Sequence, residues 1–208
     1  MKTGYDKIAW CYDVLSYLVF GNSIKKAQTY LLKFIPAGAR ILIAGGGTGW
    51  ILEKIAQVHS SGLFITYTDA SERMIGKSKK RYHGSNELKF IAMPIEEVII
   101  EPGSYDVLIT PFFFDNFPQS KCSLIFQQLD TSLKRDGIWL FSDFKANSRK
   151  FWQKHLLKIM YLFFRAVCGL EASQLPEMDN YFTTCGYKKI AQKMYYKRFI
   201  IAEAFKKP

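Results

Sequence analysis

The chain has 208 residues, of which 49% are hydrophobic and 23% are charged. This length and composition exclude a disordered tail protein and fit one globular domain, with room for a small appendage. The net charge is +11, and residues 149–208 hold most of the excess, with twelve basic and four acidic side chains. A phosphate-rich or anionic-membrane partner would explain that excess, and so would a solvated basic face.

The cysteine pattern indicates a reducing compartment. The four cysteines are Cys11, Cys122, Cys168 and Cys185. They have no CxxC spacing and form no cluster with histidine of the kind that binds zinc, so we predict a cytoplasmic protein without a metal. The first residues contain no apolar stretch of a signal peptide. The longest apolar stretch, residues 156–170, is interrupted by Lys158 and Arg165 and is too short to span a bilayer.

Residues 1–38 are predicted to form an N-terminal helical leader. Apolar residues recur at helical spacing from residue 5, and Gly21-Asn22 interrupts the run. Ser23 is a candidate cap for a second helix that reaches Phe34. We therefore divide the chain into this leader and a main domain, residues 39–208.

Residues 39–142 alternate between short apolar strands and helices of about ten residues. The predicted strands are 40–44, 63–68, 88–93, 105–110 and 137–142. The predicted helices are 50–58, 71–81, with Ser71 as its cap, and 121–133. This alternation predicts an α/β fold in which helices cover both faces of a parallel sheet.

The C-terminal part departs from this alternation. A helix is predicted over residues 151–168, followed by strands over 187–193 and 197–205. The two strands leave almost no room for a helix between them, so they are expected to pair antiparallel. The prediction is an open, mostly parallel sheet whose last strand is antiparallel.

A glycine-rich loop follows the first predicted strand. It consists of Gly45, Gly46, Gly47, Thr48 and Gly49. The loop lacks the GK[ST] ending of a P-loop, and no register fits the G-x-G-x-x-G dinucleotide pattern. Asp69 ends the next strand, where a carboxylate can accept both hydroxyl protons of a ribose. The structural alternatives are a tight strand–helix turn for the loop and a helix N-terminal acid for Asp69.

These segments, with Thr68–Met74, Tyr105–Ile109 and Leu133–Gly137, resemble class I S-adenosylmethionine-dependent methyltransferases over nearly the whole chain. The leader, with Tyr5-Asp6 and Tyr12-Asp13, is similar to the quinone-biosynthesis C-methyltransferases, a methyltransferase type 11/25-like group. The resemblance implies a Rossmann-like three-layer sandwich with seven strands. It also implies an enzyme that uses S-adenosylmethionine.

The resemblance also assigns cofactor-binding residues. They are Gly45, Gly46, Gly47, Thr48, Gly49, Asp69, Ala70, Met74, Met93, Pro94, Ile95, Thr110 and Pro111. By this resemblance the glycine loop passes beneath the methionine and ribose parts, and Asp69 binds the ribose hydroxyls. Residues 70, 74 and 93–95 lie near the adenine, and residues 110–111 near the donor methyl group. The chain departs from the family pattern at Ile43 and Pro94, where acids are usual.

Asp115, Asp143 and Tyr12 are the candidate catalytic residues. Methyl transfer from a sulfonium needs orientation more than proton transfer, but a phenol, hydroxyl or ring-carbon acceptor also benefits from a base. Asp115-Asn116 stands where the quinone enzymes carry arginine and asparagine. The structural alternatives are a turn residue for Asp115, a strand-end cap for Asp143 and helix packing for Tyr12.

Four phenylalanines, at positions 112–114 and 117, predict an apolar or aromatic acceptor pocket. The predicted function is methyl transfer from S-adenosylmethionine to a small, lipophilic, quinone-like acceptor. The alternatives are a nucleic-acid methyltransferase that uses the basic C-terminal segment, and a non-catalytic S-adenosylmethionine-binding protein. The helix over 151–168, with lysines beside apolar residues, either contacts a membrane surface or covers the acceptor mouth.

Overall fold

The computed structural model describes residues 4–146 and 150–208. Its strands are β1 (Arg40–Ala44), β2 (Ser61–Asp69), β3 (Ser85–Ala92), β4 (Tyr105–Pro111), β5 (Leu133–Phe144), β6 (Lys188–Tyr195) and β7 (Ile200–Lys206). Its α-helices are α1 (Tyr12–Phe20), α2 (Ser23–Leu31), α3 (Trp50–Val58), α4 (Glu72–Ser78), α5 (Gln119–Ser132), α6 (Phe151–Cys168) and α7 (Met178–Thr184). Short 3₁₀ helices connect several of these elements.

The strands form one seven-stranded sheet of order β3-β2-β1-β4-β5-β7-β6. The five strands from β3 to β5 are parallel, and β7 runs antiparallel to both β5 and β6. The prediction of a mostly parallel sheet with an antiparallel last strand is therefore confirmed. The strand order reverses between β1 and β4, and ligands bind at such switch points in open α/β sheets.

Helices cover both faces of the sheet, because side chains along each strand alternate between its two faces. In β1, Ile41 and Ile43 pack in one apolar cluster with residues of α2 and α3. Leu42 and Ala44 pack in a second cluster, with residues of α5 and α7. These two cores confirm the three-layer sandwich.

The leader differs from its prediction. A 3₁₀ turn, Gly4–Lys7, precedes α1, so the first helix begins at Tyr12 and not near residue 5. This turn is attached to the start of α4, because Asp6 Oδ1 accepts hydrogen bonds from Ser71 Oγ at 2.6 Å and from the Arg73 amide at 3.2 Å. Ser23 is the first residue of α2 and not its cap, so that prediction is wrong.

The start of α4 agrees with its prediction. Ser71 Oγ accepts a hydrogen bond from the Met74 amide at 3.1 Å, which confirms Ser71 as the cap. No helix of residues 4–146 or 150–208 is long and apolar enough to cross a membrane.

Candidate active site

The glycine loop leaves the sheet at the switch point between β1 and β4. The amides of Gly45 and Gly46 donate to Thr68 O at 3.0 and 3.1 Å, which fixes the loop beside β2. Gly47 has φ +65°, and a Cβ added there would meet no atom within 4 Å. Open space therefore borders the loop backbone at Gly47, as a bound ligand requires.

Asp69 ties the glycine loop to the start of α4. Its Oδ2 accepts a hydrogen bond from the Gly47 amide at 2.8 Å, and its Oδ1 accepts one from the Ser71 amide at 2.9 Å. Burial raises the pKa of Asp69, and the amides of Ser71 and Gly47 oppose that rise. Each carboxylate oxygen keeps a second lone pair, so the group can still accept two hydroxyl protons.

An ionic cluster clamps the leader over this loop. Asp13 Oδ1 accepts a hydrogen bond from Thr48 Oγ1 at 2.6 Å, and Asp13 Oδ2 pairs with Arg81 at 2.9 Å. Arg81 also donates to Thr48 O and pairs with Glu53, each at 3.2 Å. The sequence analysis did not name Arg81, Asp6 or Asp13 as site residues. The Tyr-Asp pair that occurs twice in the leader was the signal that could have identified the two aspartates.

One cavity of about 380 Å³ extends from the loop beneath the leader. The predicted site residues that border it are Tyr12, Gly45, Gly46, Gly47, Thr48, Asp69, Ala70, Met74, Pro111 and Asp115. Its apolar end is formed by Phe112, Phe113, Phe117, Phe144, Leu156 and Met160. The cavity thus has a polar compartment at the glycine loop and an aromatic compartment at the end of β4.

Six predicted site residues do not border this cavity: Gly49, Met93, Pro94, Ile95, Thr110 and Asp143. Thr110 Oγ1 instead accepts a hydrogen bond from Trp139 Nε1 at 2.9 Å in the core. Met93 lies one strand away, with its amide donating to Asp69 O at 3.1 Å. Ile43, the other departure from the family pattern, is fully buried in the core.

Asp115 and Asp143 form a buried carboxyl pair at the aromatic end. Asp115 lies in the 3₁₀ turn Phe114–Asn116 and borders the cavity, while Asp143 lies behind it near the end of β5. Burial raises the pKa of Asp143 to about 7. Burial also raises the pKa of Asp115 well above its usual range, and the charge of Asp143 raises it further. Such a pair titrates as a unit, so the two groups hold one proton between them over a wide pH range.

Two tyrosine hydroxyls donate hydrogen bonds to the turn that carries Asp115. Tyr161 Oη donates to Asp115 O at 3.4 Å, and Tyr5 Oη donates to Asn116 Oδ1. Burial raises the pKa of Tyr5 and of Tyr12, and the charge of Asp115 adds to the rise in both. Because both phenols stay neutral near pH 7, they can donate hydrogen bonds, and the carboxyl pair is the better candidate for a base.

No group of three or more His, Cys, Asp or Glu side chains that could hold a metal ion occurs in the part of the chain that the structure describes. The arrangement offers a buried carboxylate with free lone pairs, an open glycine backbone, an apolar compartment and a carboxyl pair at its end. These features suit a nucleoside cofactor beside an apolar substrate.

The comparisons with known proteins agree with this description. Residues 41–137 match the family model described as "Methyltransferase domain". The chain is 34% identical to the malonyl-[acyl-carrier protein] O-methyltransferase of Bacillus cytotoxicus over 147 aligned residues. The alignment covers 68% of this chain and 49% of that protein. It is 25% identical over 147 residues to the ubiquinone/menaquinone biosynthesis C-methyltransferase UbiE of Rhizobium leguminosarum, which covers 67% of this chain and 56% of that protein. The chain spans about half the length of these curated relatives.

A solved structure shares the fold. It is the 1,6-didemethyltoxoflavin-N1-methyltransferase of Burkholderia thailandensis, with bound 1,6-didemethyltoxoflavin and S-adenosylhomocysteine. The TM-score is 0.68 at 12% identity, over 98% of this chain and 86% of that chain. The sheet order and this similarity show that the chain has a Rossmann-like fold of the kind found in methyltransferases.

These matches confirm the resemblance to the class I S-adenosylmethionine-dependent methyltransferases. S-adenosylmethionine is the cofactor of this class, and the residues present fit it. Asp69 has free lone pairs for a ribose diol, and Gly47 leaves its backbone open to the cavity. Ala70 and Met74 border the same compartment.

Replacing Gly47 by alanine tests the glycine loop. We expect the variant to bind S-adenosylmethionine at least about tenfold more weakly, because a Cβ would strain the backbone at positive φ and occupy the open space. Gly103→Ala is the matched control, since Gly103 also has positive φ (+58°) and open space, but lies in a surface turn. Isothermal titration calorimetry measures the affinity. Equal affinities in the two variants would remove Gly47 from the site.

The carboxyl pair predicts a pH-dependent stability. Because the folded-state pKa of Asp143 is about 7, above its usual 3.8, its contribution is present below about pH 4 and is lost as pH rises through 7. We expect the free energy of unfolding to fall between pH 5 and pH 8 by up to a few kcal/mol, and Asp143→Asn to lose the part of this fall that Asp143 contributes, while the buried Asp115 keeps its own part. Asp179→Asn, at an exposed position in α7, is the control. Urea titrations across this range measure it; a parallel fall in both variants would contradict a buried proton at Asp143.

Proposed function

We propose that this chain transfers a methyl group from S-adenosylmethionine to a small apolar or aromatic acceptor, a phenol or hydroquinone of quinone-like chemistry. The observation that carries the proposal is the continuous cavity, which begins at the glycine loop and ends among phenylalanines at Asp115. An aromatic ring in that compartment would contact Phe112, Phe113 and Phe117 and would present its polar edge to Asp115. A cytoplasmic location is part of the proposal, and the four unpaired cysteines support it.

In this proposal the chain's residues do two things. Asp69 and the glycine loop hold the cofactor, which supplies an electrophilic methyl group when bound. Asp115 accepts the proton of the acceptor hydroxyl, while Asp143, behind it, sets how readily Asp115 ionises. The apolar compartment excludes water and orients the acceptor, and orientation alone can contribute on the order of 7–11 kcal/mol to such a displacement.

The malonyl-[acyl-carrier protein] relative suggests a second acceptor class, a free carboxylate. The charges around the cavity argue against it. Asp13, Asp69 and Asp115 border the cavity, and Lys25 is the one lysine or arginine among the described lining residues. A carboxylate acceptor at the aromatic end would meet like charge from Asp115 and Asp143, so a neutral acceptor fits better.

A nucleic-acid acceptor is also less well supported. Several lysines of the basic C-terminal segment are paired with acids: Lys189 with Glu203 at 2.6 Å, Lys206 with Asp136 at 2.8 Å and Lys207 with Asp130 at 3.3 Å. Such pairs reduce the positive field that phosphate binding requires.

A methyl-transfer assay tests the proposed function. The purified chain is incubated with methyl-labelled S-adenosylmethionine and, separately, with hydrophobic phenols and hydroquinones, a malonyl thioester, and RNA. We expect label in the phenols and hydroquinones, with KM falling as apolar substituents are added. Label found in the malonyl thioester or RNA alone would refute the proposed acceptor class, and the Asp69→Ala variant provides the background.

A further inference from the structure

We propose that the exposed surface of α1 and α6 docks on an anionic lipid bilayer, so that a lipophilic acceptor can pass from the bilayer into the cavity. The docking itself does not depend on the chemistry, whereas the passage of the acceptor rests on the proposed function. We call this surface the α1/α6 face. It is formed by Val14, Tyr17, Leu18, Phe151, Ile159, Leu162 and Phe163.

Solvent-exposed apolar side chains are concentrated on this face. Nine of the sixteen large apolar side chains exposed among the described residues lie in α1 and α6 or immediately before α1. Leu18 is 74% exposed and Leu162 is 55% exposed. In α1, Val14, Tyr17 and Leu18 have the spacing of a single helical stripe. Concentrated exposed apolar surface of this kind indicates a binding surface, because soluble surfaces seldom carry it.

Both helices border the mouth of the same cavity. Tyr17 from α1 and Ile159 and Phe163 from α6 line it, although each is exposed. The rings of Tyr5 and Phe164 lie 6.0 Å apart and join the leader to α6. The apolar surface outside therefore continues into the apolar wall inside, where Leu156 and Met160 lie.

The charges around the face complement an anionic surface. The 18 residues of α6 include Lys154, Lys158 and Arg165 and no aspartate or glutamate. The acid of α1, Asp13, is turned toward Thr48 and Arg81 and is neutralised there. A helix with exposed apolar side chains, lysines and no acids lies in the plane of a membrane interface and favours anionic lipids. This pattern decides for a bilayer over an acidic protein, which would not need so many exposed aromatic and aliphatic side chains.

Vesicle flotation tests the docking. We expect the wild-type chain to float with vesicles of phosphatidylglycerol and phosphatidylcholine at low salt, and to remain unbound with phosphatidylcholine alone. The double variant Leu18→Asp/Leu162→Asp should lose at least about tenfold in partition coefficient. Neither side chain borders the cavity. Leu124→Asp in α5, where Leu124 is 68% exposed, is the matched control and should bind like the wild type.

A second pair of variants isolates the charge. Lys154→Glu/Lys158→Glu should lower binding to the anionic vesicles by at least about tenfold, and Lys79→Glu/Lys80→Glu, beyond the end of α4, should not. Calorimetric S-adenosylmethionine affinity confirms that each variant is folded.

Absence of wild-type binding to anionic vesicles, or equal losses in the face and control variants, would overturn the proposal. If the wild type is a dimer and Leu18→Asp/Leu162→Asp is a monomer that still binds the vesicles, the face is instead an interface between two copies of the chain. Vesicle binding without methyl transfer to any acceptor would leave the docking standing and refute the proposed function.

Discussion

We expect the Asp69→Ala variant to lose at least about 100-fold in affinity for S-adenosylmethionine, with its fold intact. The carboxylate is the group at the end of β2 that can accept both hydroxyl protons of a ribose, and hydrogen bonds to a charged group contribute roughly 1.5–3 kcal/mol each. The substitution also frees the Gly47 and Ser71 amides, so the glycine loop loses its anchor to α4. Isothermal titration calorimetry with S-adenosylmethionine and S-adenosylhomocysteine measures the loss.

Two further variants give this result its meaning. Asp69→Asn keeps one acceptor oxygen without the charge, so its affinity should fall between those of the wild type and the alanine variant. Asp106→Ala removes a comparable carboxylate near the start of β4, where Asp106 accepts hydrogen bonds from the Arg40 amide at 2.8 Å and from Lys134 Nζ at 2.7 Å. It should leave cofactor binding unchanged. Wild-type affinity in Asp69→Ala, or a similar loss in Asp106→Ala, would show that Asp69 does not hold the ribose.

Local patterns made most of the sheet predictable from the sequence. The apolar run of β1, followed by glycines, identifies a buried strand and its turn without knowledge of distant residues. The start of β5 was not predictable in this way, because polar residues at 134–136 interrupt the apolar alternation. Asp136 also has φ +60°, and the pairing of β4 with β5 shifts register near Tyr105. The short α7 was missed because Phe182 stacks on Phe205, a distant partner, at a centroid distance of 3.9 Å.

The site divides in the same way. The glycine loop and Asp69 have fixed spacing, so the sequence indicates them as a unit. The Asp6–Ser71 and Asp13–Arg81 contacts join residues more than sixty positions apart, and no periodicity reports such pairs. Sequence reasoning could name Asp115 and Asp143 as separate candidates. Their mutual effect on pKa depends on shared burial, which only the packed structure reveals.

The Asp115→Asn variant should lower kcat for a phenol acceptor by roughly 10²–10⁴-fold, the usual contribution of a general base, with cofactor affinity unchanged. An amide cannot take the hydroxyl proton, yet it fills nearly the same volume beside Tyr161. The pH profile provides a second readout. Wild-type kcat should rise with pH as Asp115 ionises, at a pH well above the usual carboxyl range, because burial and the charge of Asp143 both raise the pKa of Asp115. In Asp143→Asn the rise should move to lower pH, because the neighbouring charge that raises the pKa of Asp115 is gone.

An acceptor that is already ionised separates a base from a structural group. A nitrophenol with a pKa near neutrality carries little proton above pH 8, so general-base catalysis contributes nothing to its methylation. Asp115→Asn should therefore methylate it at least as fast as the wild type, because the variant also removes the like charge of Asp115, while it remains slow with an ordinary phenol. Equal losses with both acceptors would mean that Asp115 shapes the aromatic compartment and takes no proton. A loss confined to the ordinary phenol would make Asp115 the base, because the two acceptors share their ring and differ in whether a proton must leave.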